Sequence, residues 1–198
     1  MKTFLLITSC LITLYSTAQK DIQKKYFVFD AGIAYTSAFN FANKQDMVPK
    51  VGYTANLMTE YEFNNGKSFR IGLGTSLNGF ALDTRFENVL HIYNINLPIQ
   101  YGKKLKSGNR FYFGLIPAFS FKSSYSDELL RFSPNKFDVK VQLSYAKDFN
   151  KFVGVDFSAQ VGALNMGIYK NGHVANWSLI AKVYLRKMTK RSVSFIVK

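Results

Sequence analysis

The sequence predicts an all-β protein, an eight-stranded antiparallel up-and-down transmembrane β-barrel. Three observations carry this prediction. Eight segments alternate apolar with polar or small residues, and each is long enough to cross a bilayer at a tilt; no segment reaches the roughly eighteen apolar residues of a spanning helix; and short and long connections alternate along the chain.

The chain opens MKTFLLITSCLITLYSTAQK, with one basic residue, an apolar run from Phe4 to Tyr15 and small residues ending at Ala18. That is the order of a secretory signal peptide cut after Ala18. Residues 1–18 are therefore expected to be removed on export. Residues 19–198 then form one domain, with strands over 26–187 and a basic tail at 188–198. The stretch Ile7-Thr8-Ser9-Cys10 also resembles a lipobox, but a cut there leaves only about six apolar residues before the cysteine, short of the usual apolar region. Cys10 is the only cysteine, so the mature chain has no disulfide and no thiolate chemistry.

The first segment, residues 26–39, places Phe27, Phe29, Ile33 and Tyr35 on one face and leads into a long link at 40–50. The second, 51–63, repeats the pattern with Val51, Tyr53, Leu57 and Tyr61 and ends in the short Asn64-Asn65-Gly66. The third, 67–82, carries Phe69, Ile71, Leu73 and Leu77 and is followed by a long link at 83–90. In the fourth, 91–105, Tyr93, Ile95, Leu97, Ile99 and Tyr101 precede the short Lys106-Ser107-Gly108. The fifth, 109–125, contains RFYFGLIPAFSF, with Phe111, Phe113, Leu115, Pro117, Phe119 and Phe121 at every second position and a long link at 126–135. The sixth, 136–147, has Phe137, Val139, Val141, Leu143 and Tyr145 before the short Asp148-Phe149-Asn150. The seventh, 151–166, has Val153, Val155, Phe157 and Val161 before the link at 167–173, and the eighth, 174–187, has Trp177, Leu179, Val183 and Leu185.

Each short link fits a three-residue hairpin loop whose last residue is left-handed, a conformation Gly accepts best and Asn next. The first pairs are then Phe63 with Lys67, Leu105 with Asn109, and Lys147 with Lys151. All six are odd-numbered, so the apolar faces of paired strands coincide. Continuing the second register sets Leu97 opposite Pro117 and Pro98 opposite Ile116. Proline withdraws a ladder donor, so a bulge or an opened seam is expected between the fourth and fifth strands.

The even-numbered face decides what surrounds the barrel. It carries the acids Asp30, Glu60, Glu62, Asp138 and Asp156 and the bases Arg70, Lys122, Lys140, Lys182 and Arg186, diluted by neutral polar residues and many glycines. A lipocalin-like barrel would turn the apolar face inward and show charged residues to water. This face has too many small residues and too balanced a charge for a solvent surface. It reads as a narrow interior in which those ten residues form a charge network, because buried charges must pair. The odd face then meets lipid.

Aromatics group towards both ends of the strands, as two interface belts require, although strands favour aromatics in any setting. The net charge of +14 is concentrated at the short-turn end and in the tails, where 15 of the 26 Lys and Arg lie. That placement suits anionic phospholipid headgroups. Nucleic-acid binding is not expected, since no recognition module is visible in an exported chain.

The signal peptide ending STAQ, the eight-strand rhythm and the fourth strand, HIYNINLPIQYGKKL, together resemble the small outer-membrane β-barrel domain proteins of Gram-negative bacteria, in particular the PorT-like group. The resemblance implies an outer-membrane location and an accessory role in protein secretion. Many such barrels end on an aromatic residue, whereas this chain continues through Met188-Thr189-Lys190-Arg191 and ends SVSFIVK.

No enzyme signature emerges. His91 and His173 are the only histidines, both at the long-loop end, and neither begins a His-x-Ser pattern; Tyr125, Ser126, Asp127 and Glu128 lie in or beside a loop, where polar residues are common without catalysis. Two separated histidines make no metal ligand set, and the glycines of IGLGTSLNG do not sit on a strand-to-helix turn. The expectation is a monomeric, non-enzymatic barrel without cofactor or metal, with a structural or interaction role. Its partners are outer-membrane lipids and, through the long loops, lipopolysaccharide or another envelope protein. A narrow solute channel and a lipid A-modifying enzyme are the alternatives.

Overall fold

The computed structural model describes residues 22–40, 45–81, 89–105, 107–125, 132–162, 167–169 and 172–189. The expected signal peptide and most of the basic tail lie outside them. Twelve β-segments succeed one another: β1 (Ile22–Asn40), β2 (Gln45–Asp46), β3 (Val48–Phe63), β4 (Lys67–Ala81), β5 (Val89–Asn96), β6 (Ile99–Lys104), β7 (Arg110–Tyr125), β8 (Phe132–Pro134), β9 (Phe137–Asp148), β10 (Val153–Gly162), β11 (Gly167–Tyr169) and β12 (Gly172–Met188).

Nine of these segments occupy eight positions in a closed antiparallel ring. Its order is β1, β3, β4, then β5 with β6, β7, β9, β10 and β12, and β12 pairs back onto β1. The closing seam is continuous over fifteen residue pairs, from Tyr26 opposite Met188 to Asn40 opposite Val174. Closure removes the sheet edge, the one place where strand backbone groups would otherwise lack partners. The short segments β2, β11 and β8 extend the sheet at the long-loop end, through β1–β2, β11–β12 and β8–β11 pairings.

Two hairpins form in the expected register. Tyr61 stands opposite Phe69 and Lys104 opposite Arg110, and Gly66 and Gly108 have φ of 73° and 85°. The third hairpin differs. Instead of the expected Lys151, Lys147 has Val155 opposite it, a displacement of four residues. The cause is local: the Asn150 side chain accepts hydrogen bonds from the backbone N–H of Phe152 at 2.7 Å and of Val153 at 2.9 Å. That side-chain turn moves the reversal beyond Asn150. An even displacement keeps odd residues opposite odd, so the faces are preserved.

The proline seam is irregular in a way that the alternation alone does not place. The strand breaks at Leu97–Pro98, between β5 and β6, yet the register passes through unchanged from Asn96 opposite Ala118 to Ile99 opposite Leu115. Leu97 N–H donates to the Pro117 carbonyl at 2.8 Å, and Gly72 N–H donates to the Pro98 carbonyl at 3.1 Å. The bulge lies further along, between Tyr93 opposite Lys122 and Asn94 opposite Ser120, with Phe121 as the extra residue. Register shifts also interrupt the β3–β4 ladder between Pro49 and Tyr53 and the β1–β3 ladder between Ile22 and Lys24.

Side chains alternate across the wall. Ile33, Leu57, Leu73 and Leu143 are 61 to 65% exposed on the outside, with Phe113, Phe119, Phe157 and Val183 also exposed there. Inside are Asp30, Glu60, Arg70, Gln100, Gln142 and Lys182, all buried. A protein with its apolar side chains out and its charges in is matched to hydrocarbon, since water-facing apolar patches are normally small. Leu57→Arg, midway between Tyr53 and Tyr61, is expected to cost about 2–4 kcal/mol of unfolding free energy in a bilayer. Urea unfolding from phospholipid vesicles measures this, and an unchanged midpoint would mean that Leu57 does not face acyl chains.

Candidate functional site: the charged interior

Alternation along β3 turns Glu60 and Glu62 inward, and the ring brings inward residues of β4, β7, β9 and β12 towards them. Glu60 is fully buried and is the centre of the site. Its Oε2 lies 3.2 Å from Arg70 Nε, and its Oε1 lies 3.1 Å from Arg110 Nη1 and 2.7 Å from Arg186 Nη2. The Tyr112 hydroxyl donates to the same Oε1 at 3.2 Å. Glu62 Oε2 takes Arg110 Nη2 at 3.1 Å and Arg186 Nη2 at 3.5 Å. Asp148 Oδ2 receives Arg110 Nε at 3.3 Å and lies 3.7 Å from Arg186 Nη1, while its Oδ1 accepts from the Tyr184 hydroxyl. Three carboxylates thus meet three guanidiniums in one layer.

Tyrosine rings lie against two of the guanidiniums. Arg70 lies 3.9 Å from the centroid of Tyr112, and Arg186 lies 4.0 Å from that of Tyr26. Glycine makes the rings possible: a Cβ on Gly102 would fall 2.4 Å from the Tyr112 ring, and one on Gly154 would fall 2.3 Å from the Tyr184 hydroxyl. The planar, forked guanidinium suits this site, since it can bind carboxylates in its plane while stacking on an aromatic face.

One layer further towards the long-loop end, Lys182 Nζ lies 3.3 Å from Asp30 and 3.7 Å from Asp156, and Arg70 Nη1 reaches Asp156 at 3.8 Å. Asn56 Nδ2 donates to Asp30 at 2.6 Å. Beyond this the contacts become mainly neutral. Gln100 and Gln160 donate to Gln142 at 3.2 and 3.3 Å, Ser120 to Asn94 at 2.7 Å, and Asn176 to Asp138 at 3.3 Å. Phe80, Leu90 and Ile92 are buried towards the long-loop end of β4 and β5.

Of the ten residues expected in the network, the structure places Asp30, Glu60, Glu62, Arg70, Asp156, Lys182 and Arg186 in mutual ion pairs. Asp138 and Lys140 are buried nearer the long-loop end, as next-but-one neighbours on β9. Lys122 is a correction: it is exposed on the outer wall, with Nζ 5.5 Å from the Tyr93 ring centroid. The extra residue at Phe121 reverses the facing of the rest of β7, which parity counted from Arg110 does not register. Arg110, one of the basic residues counted at the short-turn end, and Asp148, expected in a turn, are in the network instead. The even position of Arg110 on its strand is the signal that could have found it.

His91 lies on β5, paired with Gly79 and Ser124. Asp127 and Glu128 lie outside the described residues. Among the described residues, no group of three or more His, Cys, Asp and Glu is placed to hold a metal ion.

A closed eight-position ring with an apolar outside and a paired ionic interior defines a small transmembrane β-barrel. Comparison with known structures agrees on the fold. The chain is similar to Neisserial surface protein A, NspA, with 16% identity and a TM-score of 0.53 over 80% of this chain and 96% of that one. It is also similar to Ail, the attachment invasion locus protein of Yersinia pestis, in complex with the heparin analogue sucrose octasulfate (13%, TM-score 0.48, 83% and 100% covered). The outer membrane protein OprG from Pseudomonas aeruginosa gives 8% identity, a TM-score of 0.46, and 84% and 97% coverage. No family model and no curated protein matches the chain.

Removing one partner of a buried ion pair strands the other's charge, at a cost of about 3–5 kcal/mol. Glu60→Ala removes the carboxylate that Arg70, Arg110 and Arg186 share and leaves Arg70 with only its longer contact to Asp156, so it is expected to lose about that much unfolding free energy, and Glu60→Gln less. Denaturant unfolding in detergent micelles measures both, and a loss below about 1 kcal/mol would show that Glu60 behaves as a solvated surface charge.

Proposed function

We propose that the protein is an integral outer-membrane barrel with a closed interior, acting as a structural or interaction module through its long-loop end. The single observation that carries the closed interior is the layer around Glu60, where three arginines, two further carboxylates and stacked tyrosines occupy the bore. Eight-stranded barrels have interiors just wide enough for side chains to fill, and moving an ion through this one would break several buried pairs at once. This argues against the narrow-channel alternative. The outer-membrane placement is supported by the apolar outer wall and by the shared fold of small outer-membrane barrels.

The finer role rests on the PorT-like resemblance: an accessory part in protein secretion, or surface contact through the loops with lipopolysaccharide or another envelope protein. We read the chain as monomeric and non-enzymatic. The buried carboxylates of the Glu60 layer are engaged by arginine rather than aimed at a substrate.

Planar-bilayer recording of refolded protein is expected to show no steady unitary conductance. Regular, ohmic openings that change when Arg70 or Lys182 is replaced would establish the channel instead. Expression of the intact protein should also leave the mass spectrum of lipid A unaltered, whereas loss or gain of an acyl chain would restore the enzyme reading.

A further inference from the structure

We propose that the outer wall at the short-turn end binds anionic phospholipid headgroups through a circumferential ring of lysines. Lys25 on β1, Lys67 on β4, Lys103 on β6, Lys147 on β9, Lys151 in the next turn and Lys187 on β12 are all exposed at this end. None of the six lies within 4.0 Å of a described carboxylate. The acids of the same end, Glu60, Glu62 and Asp148, are turned inward and held by Arg70, Arg110 and Arg186.

At the short-turn end the basic residues are thus sorted by type, the buried Lys140 and Lys182 lying nearer the long-loop end. All three described arginines are interior, where bidentate and stacked geometry is needed, and the ring outside is lysine alone. Lysine is a compact, hydrated charge on a flexible stem, suited to headgroup phosphates whose positions are not fixed.

The strand register concentrates this charge. Lys67 stands directly opposite Lys103 on the outer face, an arrangement that costs stability unless an anion lies between them. Neighbouring strands are about 4.8 Å apart, well inside the ~8–10 Å over which charges still interact in physiological salt. The ring therefore repels itself until counter-charge collects around it. Aromatics mark its depth: Lys103 is opposite Phe111 and Lys187 opposite Phe27, and Lys25 Nζ lies 5.7 Å from the Tyr61 ring centroid. Aromatic rings of this kind sit at the headgroup level. A globular partner would cover one sector of the wall, whereas this charge runs around it; only the lipid annulus has that geometry.

Refolded full-length protein in phosphatidylcholine bilayers doped with spin-labelled phosphatidylglycerol or phosphatidylcholine tests this by electron spin resonance. The expected result is a several-fold preference of the motionally restricted annulus for the anionic label. It should fall towards unity at 1 M salt, where screening acts within about 3 Å. Replacing Lys25, Lys67, Lys103, Lys147, Lys151 and Lys187 together by Gln should abolish the preference, and replacing them by Arg should retain it. Heat-modifiable gel migration confirms independently that each variant is a folded barrel. Equal association of both labels with the native protein, or a preference that survives the Gln substitutions, would overturn the proposal while leaving the barrel intact.

Discussion

Within hydrocarbon every backbone N–H and C=O must find a protein partner, and the pairing of β1 with β12 supplies the last row of them. The rest of the structure depends on that closure. Eight strand positions fix a narrow bore, and a narrow bore cannot hold water enough to solvate charges, so the charges placed there are paired. The Glu60 layer is the result: carboxylates from β3 and β9 locked to arginines from β4, β7 and β12, with tyrosine rings filling the remaining space against Gly102 and Gly154. Closure also sets the chemistry of the outside, because a wall with no open edge can be apolar in lipid without inviting another strand to pair.

Irregularities are tolerated where they do not break the ring. Around Pro98 and Pro117 the register is kept, and both proline carbonyls still accept from neighbouring strands, Pro98 from Gly72 and Pro117 from Leu97. The bulge at Phe121 and the register shift after Pro49 both lie towards the long-loop end. There the interior contacts are mainly neutral, and a change of facing strands none of the ion pairs around Glu60. At the short-turn end the β1–β3 ladder shifts register between Ile22 and Lys24, but the β3–β4 and β6–β7 ladders, which carry Glu60, Arg70 and Arg110, are regular. Glu60 can reach arginines on three other strands because their heights in the barrel are held in step.

The alternation of apolar residues is periodic and local, and it sufficed to determine the number of strand positions, which face is apolar, the placement of the Gly66 and Gly108 turns and most of the residues inside. Three features needed the tertiary structure. The third hairpin is set by the Asn150 side chain binding backbone groups, which outweighs the count of turn residues. Lys122 faces outward because one extra residue at Phe121 reverses the strand beyond it, and a bulge is visible only against the partner strand. The choice of partners for Glu60 depends on side chains as distant in sequence as Arg186. These meet only because the ring closes, and no local pattern encodes which of several inward arginines a given carboxylate will reach.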